Sequence, residues 1–375
     1  MQSVIHPLPF VGTGTAQSVV AQHFGEPNCG RKVYVQAALH ADEIPAMLVA
    51  TRLREKLLVL EAQGRLRAQV VLLSVANPLG LNQWLMGAPQ GRFELASGRN
   101  YNRSFPMLFD AIVERLERQP GQLSDDVARN RDRVRAAWRD ALLARPATDA
   151  FGALQSLLML QAFDADIVLD LHCSREAAMH LYTGDECWPA AEPLARYLGS
   201  TANLLALDSG AHSFDEAQSY TWYRVRQHFG AKYPMPSGPV SVTIEHRGQR
   251  DVSYAQAEAD ASAIMQYLTY TGDVDGQVSP LPDLPYPATP LAGSEQFRAP
   301  SAGVLVHRAT LGALIEVGQP VFDIVDPITG DVTTLVSRTQ GVMYMRRDVR
   351  FVNAGDPLGR VTGHRAQRTG MLLGA

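Results

Sequence analysis

Three runs of β-forming residues, Lys32–Leu39 (KVYVQAAL), Gln69–Ala76 (QVVLLSVA) and Asp166–Leu171 (DIVLDL), are nearly continuous in apolar side chains instead of alternating with polar ones. A strand with one wet face alternates. A strand covered on both faces does not, and such runs suit a parallel sheet with helices on either side. A fourth run, Val240–Glu245 (VSVTIE), alternates more. Between the first two, Ile44–Gln63 carries Pro45 early, where helices tolerate it, and apolar residues at helical spacing. Strand, helix, strand at this spacing is a βαβ unit. The expected fold is therefore α/β, a mostly parallel central sheet flanked by helices.

A chain of 375 residues has room for more than one domain. Met107–Gln161 reads as a helical insertion, broken at Pro120–Gly121 and Pro146, and the sequence leaves open whether it forms a cap or an oligomer contact. Six prolines crowd the window from Thr271 to Pro300, which reads as a linker or extended strap. Beyond it, short β-rich runs broken at Gly312, Gly318, Gly330, Gly341 and Gly355 suggest a small all-β unit. The expected division is an α/β domain over 1–275, a Pro-rich linker over 276–299 and a C-terminal β-sandwich or barrel-like domain over 300–375.

With 34 basic against 38 acidic residues the net charge is −4, which is no footprint for nucleic acid or anionic lipid. No run of about 18 apolar residues is present to span a membrane. The start, Met1–Gly12, lacks the basic stretch of a signal peptide. Cys29, Cys173 and Cys187 form no C-x-x-C pair, so a disulfide framework is not expected and a reducing cytoplasm is the default. The lysines are Lys32, Lys56 and Lys232 alone, so nearly all the positive charge is arginine.

The chemistry gathers at strand ends. His40 and Glu43, in A-L-H-A-D-E, follow the first strand and precede a helix, at the carboxyl edge where ligands collect in open α/β sheets. An imidazole nitrogen and a carboxylate oxygen at this spacing can share a small cation such as Zn²⁺. A capping acid beside a surface histidine would give the same letters. His172, in D-L-H-C-S, ends another apolar strand and would emerge at the same edge. Two histidines and one glutamate, with a position left for water, is the ligand set of a catalytic zinc site. Asp170, two residues before His172 and on the same face, could orient that imidazole or be a buried acid bonded to backbone. Cys173 faces the other way and reads as a structural thiol. Glu245, ending V-T-I-E, is the candidate base for a water proton. Arg92, Arg99 and Arg103, with Asn102 beside the last, compete for gripping a substrate carboxylate and for stabilising an oxyanion. Spacing alone does not choose among them. His180, His212, His228, His246 and His307 have no partner at ligand spacing and read as ordinary histidines.

Taken in order, A-L-H-A-D-E, N-P, G-R-N-Y-N-R-S-F-P, D-L-H and T-I-E resemble the succinylglutamate desuccinylase/aspartoacylase family, a branch of the zinc carboxypeptidase-like hydrolases. The resemblance covers roughly His40 to Gly248. It implies that His40, Glu43 and His172 are the ligands of one Zn²⁺ and that Glu245 is the general base. It also implies that Asn102 and Arg103 bind the substrate carboxylate and that Arg92 polarises the carbonyl, with Arg99 its competitor. The sequence departs from the family's G-x-H-G-x-E by placing Ala38 and Ala41 at the glycine positions. The C-terminal part resembles a lipoyl/biotinyl-type β-sandwich. With no lysine after Lys232 to carry a cofactor, that part is expected to be structural or pocket-shaping.

The expected activity is that of a zinc-dependent amidohydrolase removing an acyl group from an N-acyl amino acid or similar small carboxylate. The alternatives are a zinc carboxypeptidase acting on peptide C-termini and a non-catalytic binding protein on the same fold. The expected partner is a small molecule, with neither nucleic acid nor membrane, and a homo-oligomer is left open.

Overall fold

The computed structural model describes residues 1–27, 29–118 and 121–374. Among these, nine strands form one sheet in the order Gln2–Pro7, Ser18–Phe24, Gln69–Leu73, Lys32–Ala37, Ile167–Ser174, Val240–Gly248, His180–Thr183, Ala202–Leu205, Thr289–Pro290. The four central strands, from Gln69–Leu73 to Val240–Gly248, are mutually parallel. They are the four runs legible in the sequence. Strand Ile167–Ser174 continues past Leu171, so His172 lies within it.

Both faces of the centre are covered, which explains the unbroken apolar runs. Val33, Val35 and Ala37 pack with Leu169, Leu171, Val242 and Ile244 on one face, under helices Ile44–Ala62, Trp188–Leu198 and Tyr254–Tyr270. The intervening Tyr34 and Val168, with Val71 and Leu73, face the other layer. That second layer contains helix Phe214–Phe229 and the three helices of the 107–161 stretch, Phe109–Glu117, Val127–Leu143 and Ala150–Ala162. The sequence left a cap or an oligomer contact open for this stretch. The structure turns its apolar faces onto the sheet, burying Ile112, Val134, Trp138, Leu154 and Leu158. Pro120, one of the expected breaks, lies outside the described residues.

Within the Pro-rich stretch, Thr289–Pro290 adds an outermost strand to the large sheet, a place where a missing proline N–H costs little. The C-terminal region forms two small antiparallel sheets around Phe297, Leu305, Ile315, Phe322, Met343 and Leu358. One of them pairs directly with the α/β part, strand Glu176–Ala177 lying against Met345 and Arg346 of Gly341–Arg346. This pairing holds the β region against the carboxyl edge of the central sheet, just past His172. Among the described residues, no helix is long and apolar enough to cross a membrane.

If the 107–161 helices are a core layer, truncating Trp138, which is fully buried, to alanine should cost about 3–5 kcal/mol in equilibrium denaturation. A loss below about 1 kcal/mol, the ordinary range for surface sites, would mark these helices as a detachable appendage.

Candidate metal centre

Strand Lys32–Ala37 ends in a turn that carries His40, and helix Ile44–Ala62 starts immediately after Glu43. Glu43 occupies the N-cap position but makes no side-chain cap hydrogen bond. Its carboxylate is turned instead toward the two histidines, and both His40 and Glu43 are only 3% exposed. The reading of a capping acid beside a surface histidine is thereby excluded. Ala38 takes a left-handed backbone, φ +60°, in the place where the family resemblance led us to expect glycine. A β-carbon there costs roughly 1–2 kcal/mol, and the turn keeps its shape nonetheless.

His40 Nδ1 lies 3.0 Å from Glu43 Oε1, and His172 Nδ1 lies 2.7 Å from Glu43 Oε2. The rings stand edge to face with centroids 5.0 Å apart. One ligand atom from each of the three buried side chains falls within 4.8 Å of the others, so they can share an ion.

The outer nitrogens show how these donors are prepared. His40 Nε2 is 2.7 Å from Asn100 Oδ1, which also accepts from the Asn102 N–H at 2.9 Å. His172 Nε2 is 2.9 Å from Asp170 Oδ2. Asp170 Oδ1 accepts from Gln36 Nε2 at 2.9 Å, and Gln36 Oε1 accepts from the Tyr34 hydroxyl at 2.8 Å. The Asn100 oxygen at His40 Nε2 places that ring's proton there and leaves Nδ1 as an acceptor, while His172 lies between the carboxylates of Glu43 and Asp170. Two imidazoles and one buried carboxylate converging this closely are donor types that a divalent ion takes. The donor set therefore fits a divalent ion, with Asn100 and Asp170 fixing ring orientation. Of the two roles open for Asp170, the geometry agrees with orienting the imidazole.

Electrostatics point the same way. Burial, reinforced by Arg92, pulls the His40 pKa down to about 4. Burial opposes a charged His172 as well, but the Asp170 and Glu43 carboxylates override it and hold that pKa well above the usual value. For Glu43, burial is outweighed by the two histidines, and its pKa falls well below the carboxylate range. The carboxylate is thus ionised wherever the protein is folded near neutrality.

Glu245 sits on the neighbouring strand in direct register with His172. Its Oε2 accepts from the Ser174 hydroxyl at 3.2 Å. Burial, then the nearby Glu43 carboxylate, pushes its pKa up to about 7. Arg92 reaches in from the facing loop, its Nη1 donating to Glu43 Oε1 and to His40 Nδ1 at 3.2 Å each. Its placement depends on Gly91, where a β-carbon would come within 2.2 Å of the Asp42 nitrogen. Only glycine lets that loop press on the 41–42 turn.

The other sequence candidates divide. Asn102 and Arg103 line the same cavity, a space of about 680 Å³. Asn102 is buried, and its Oδ1 accepts from the Phe214 N–H at 2.8 Å, tying the loop to the start of helix Phe214–Phe229. Arg103 donates from Nη1 to the Asn102 carbonyl at 2.7 Å, and burial, then Arg92, draws its pKa down to about 10. Arg99 does not line the cavity. It pairs with Glu94 and Asp149 at 2.7 and 2.9 Å and stacks on Phe151. His180 and His246 find ordinary partners, the Ala178 carbonyl and Asp260. Cys173 is buried, and its N–H donates to Glu43 Oε2. Asn100 was passed over in the sequence although it stands in the same G-R-N-Y-N-R run. Tyr182, Arg360 and the segment Met371–Gly374 also line the cavity, and no pattern in the sequence singled them out.

Residues 29–132 match the family described as Succinylglutamate desuccinylase/Aspartoacylase catalytic domain. No curated protein matches the chain. Among solved structures, it is similar to a succinylglutamate desuccinylase/aspartoacylase from Shewanella frigidimarina NCIMB 400, with 24% identity, TM-score 0.82, and 96% of this chain and 97% of that one covered. A family protein from Shewanella amazonensis SB2B gives 24% identity and TM-score 0.79, covering 96% and 98%. The product-bound ectoine utilization protein of Ruegeria pomeroyi gives 14% identity and TM-score 0.67, covering 96% and 94%. These likenesses establish the fold, and the family match agrees with the family named from the motifs.

Because Asn100 and Asp170 hold the ligand rings, Asn100→Ala and Asp170→Asn should each weaken zinc binding about 10–100-fold in competition with a chromophoric chelator. Unchanged affinity in both would mean that the rings need no such support.

Proposed function

We propose that this chain, a member of the succinylglutamate desuccinylase/aspartoacylase family by its residues 29–132, is a zinc-dependent amidohydrolase that removes the acyl group from an N-acyl amino acid or similar small carboxylate. The observation that carries the reading is the buried His40, Glu43 and His172 cluster at the carboxyl edge of the sheet, with Glu245 one strand away.

His40 and His172 through Nδ1, and Glu43 through its carboxylate, would hold the ion. When bound, it supplies Lewis acidity toward water and toward the acyl carbonyl. Glu245 takes a proton from the attacking water on a carboxylate oxygen and returns it to the leaving nitrogen. A pKa near 7 suits both halves of that exchange. The Arg92 guanidinium, beside the ligands, is in reach of charge developing on the carbonyl oxygen. Arg103 grips the substrate carboxylate, and Asn102 fixes the loop that carries Arg103, so the amide is held near the ion. The C-terminal β region walls the cavity with Arg346, Arg347 and Arg360. A cavity walled on that side favours a small substrate over a long peptide, which supports deacylation over carboxypeptidase action.

Glu245→Gln keeps the shape and removes the base. Turnover should fall about 10²–10⁴-fold while zinc content by elemental analysis stays at the wild-type level. Wild-type turnover in this variant would remove Glu245 from the mechanism. In a screen of N-acetyl and N-succinyl amino acids beside short peptides, cleavage should be confined to the acyl amino acids, vanish on chelation and return with Zn²⁺. Peptide cleavage alone would make the protein a carboxypeptidase. A chelation-insensitive protein without turnover would be a binding protein.

A further inference from the structure

The fork of Arg103 is already engaged. Its Nε and Nη2 both donate to the carbonyl oxygen of Gly374, at 3.1 and 2.5 Å. This edge of a guanidinium is the one that takes a carboxylate in a bidentate grip. Gly374 reaches it because the preceding residues are anchored. Leu372 is 7% exposed and packs with Ala202, Leu204, Leu291 and Tyr344. Its N–H donates to the Ser209 carbonyl at 2.8 Å, and its carbonyl accepts from Arg368 Nη1 at 3.0 Å. Gly210 lets the strand of tail pass close, since a β-carbon there would lie 3.3 Å from the Met371 Cα. Met371 itself is 66% exposed, so the segment is held chiefly by buried Leu372, partly buried Leu373 and a few hydrogen bonds. It nevertheless lines the same cavity as His40, Glu43 and Glu245.

We propose that Met371–Gly374 is a built-in occupant of the carboxylate subsite, covering Arg103 in the resting chain and leaving it when a substrate carboxylate binds. The proposal rests on the reading of Arg103 given above. A backbone carbonyl supplies one oxygen and no formal charge where a carboxylate supplies two and a full charge. The substrate therefore wins the guanidinium, and the tail's hold raises the concentration needed to do so. Apparent affinity is reduced by the fraction of chains in which the subsite is open.

Three zinc-loaded proteins test this: the full chain, the full chain with Leu372→Asp, and a chain ending after Gly370. On the acyl amino acid cleaved best in the screen, both variants should lower KM about five-fold or more with kcat within about two-fold, the pattern of removed competition. An unchanged or raised KM in both variants overturns the proposal, because the tail is then a fixed wall. A C-terminally amidated peptide of the sequence RTGMLLGA, which has no terminal carboxylate to offer, should bind the shortened chain by calorimetry, bind the full chain at least about five-fold more weakly, and lose binding to the shortened chain with Arg103→Ala. No binding to the shortened chain, or binding indifferent to Arg103, also overturns it, and this arm needs no substrate. Arg103→Ala in the shortened chain separates the two readings. A KM raised about ten-fold or more upholds Arg103 as the carboxylate residue whatever the tail does. An unchanged KM removes both.

Discussion

The carboxylate of Glu43 bridges the Nδ1 atoms of His40 and His172, and much of the surrounding structure holds these three buried groups together. Asn100 and Asp170 stand at the outer nitrogens of the two rings. Gln36 and Tyr34 hold Asp170, through a hydrogen-bonded row running along the centre of the sheet. Helix Ile44–Ala62 begins one residue after Glu43 and leaves its side chain uncommitted as a cap. Each of these groups is buried, where an unsatisfied acceptor is costly. The convergence of the two imidazoles and the Glu43 carboxylate makes the cluster one that could hold a metal ion.

Around this centre the protein spends arginine in several ways. Arg92 donates to Glu43 and His40, Arg103 lines the same cavity beside Asn102, and Arg346, Arg347 and Arg360 come from the β region. Others, such as Arg118 with Glu114, are exposed pairs of the kind that contribute little to stability. The near absence of lysine is therefore partly chemistry and partly composition. The β region is more than an appendage. Paired with Glu176–Ala177, it contributes wall residues to the cavity, and the segment that follows it returns there, the Gly374 carbonyl accepting from Arg103.

The central sheet was legible because strands buried on both faces carry nearly unbroken apolar runs, as Lys32–Ala37 and Ile167–Ser174 do apart from Lys32, Gln36, Asp170, His172 and Ser174. The ligand cluster was legible because His40, Glu43 and His172 stand at or near the carboxyl ends of such strands, where a parallel sheet brings them to one edge. What lay beyond reach depended on contacts between distant segments. Helical periodicity in Val127–Leu143 marks an apolar face, and says nothing of what that face meets; it meets the sheet. Three arginines at similar spacing could not be ranked by letters. Glu94, Asp149 and Phe151 draw Arg99 away, while Gly91 delivers Arg92 inward. The segment Met371–Gly374, with one buried leucine and one glycine, carries no pattern that points to a side chain 271 residues earlier.

X-ray absorption at the zinc edge on the purified, zinc-loaded full chain tests the central claim most directly. The account predicts one zinc per chain with nitrogen and oxygen neighbours near 2.0–2.2 Å, including two imidazoles, and loss of that signal in His172→Ala. Zinc that fails to bind in stoichiometric amount, or that shows sulfur neighbours near 2.3 Å, would contradict it.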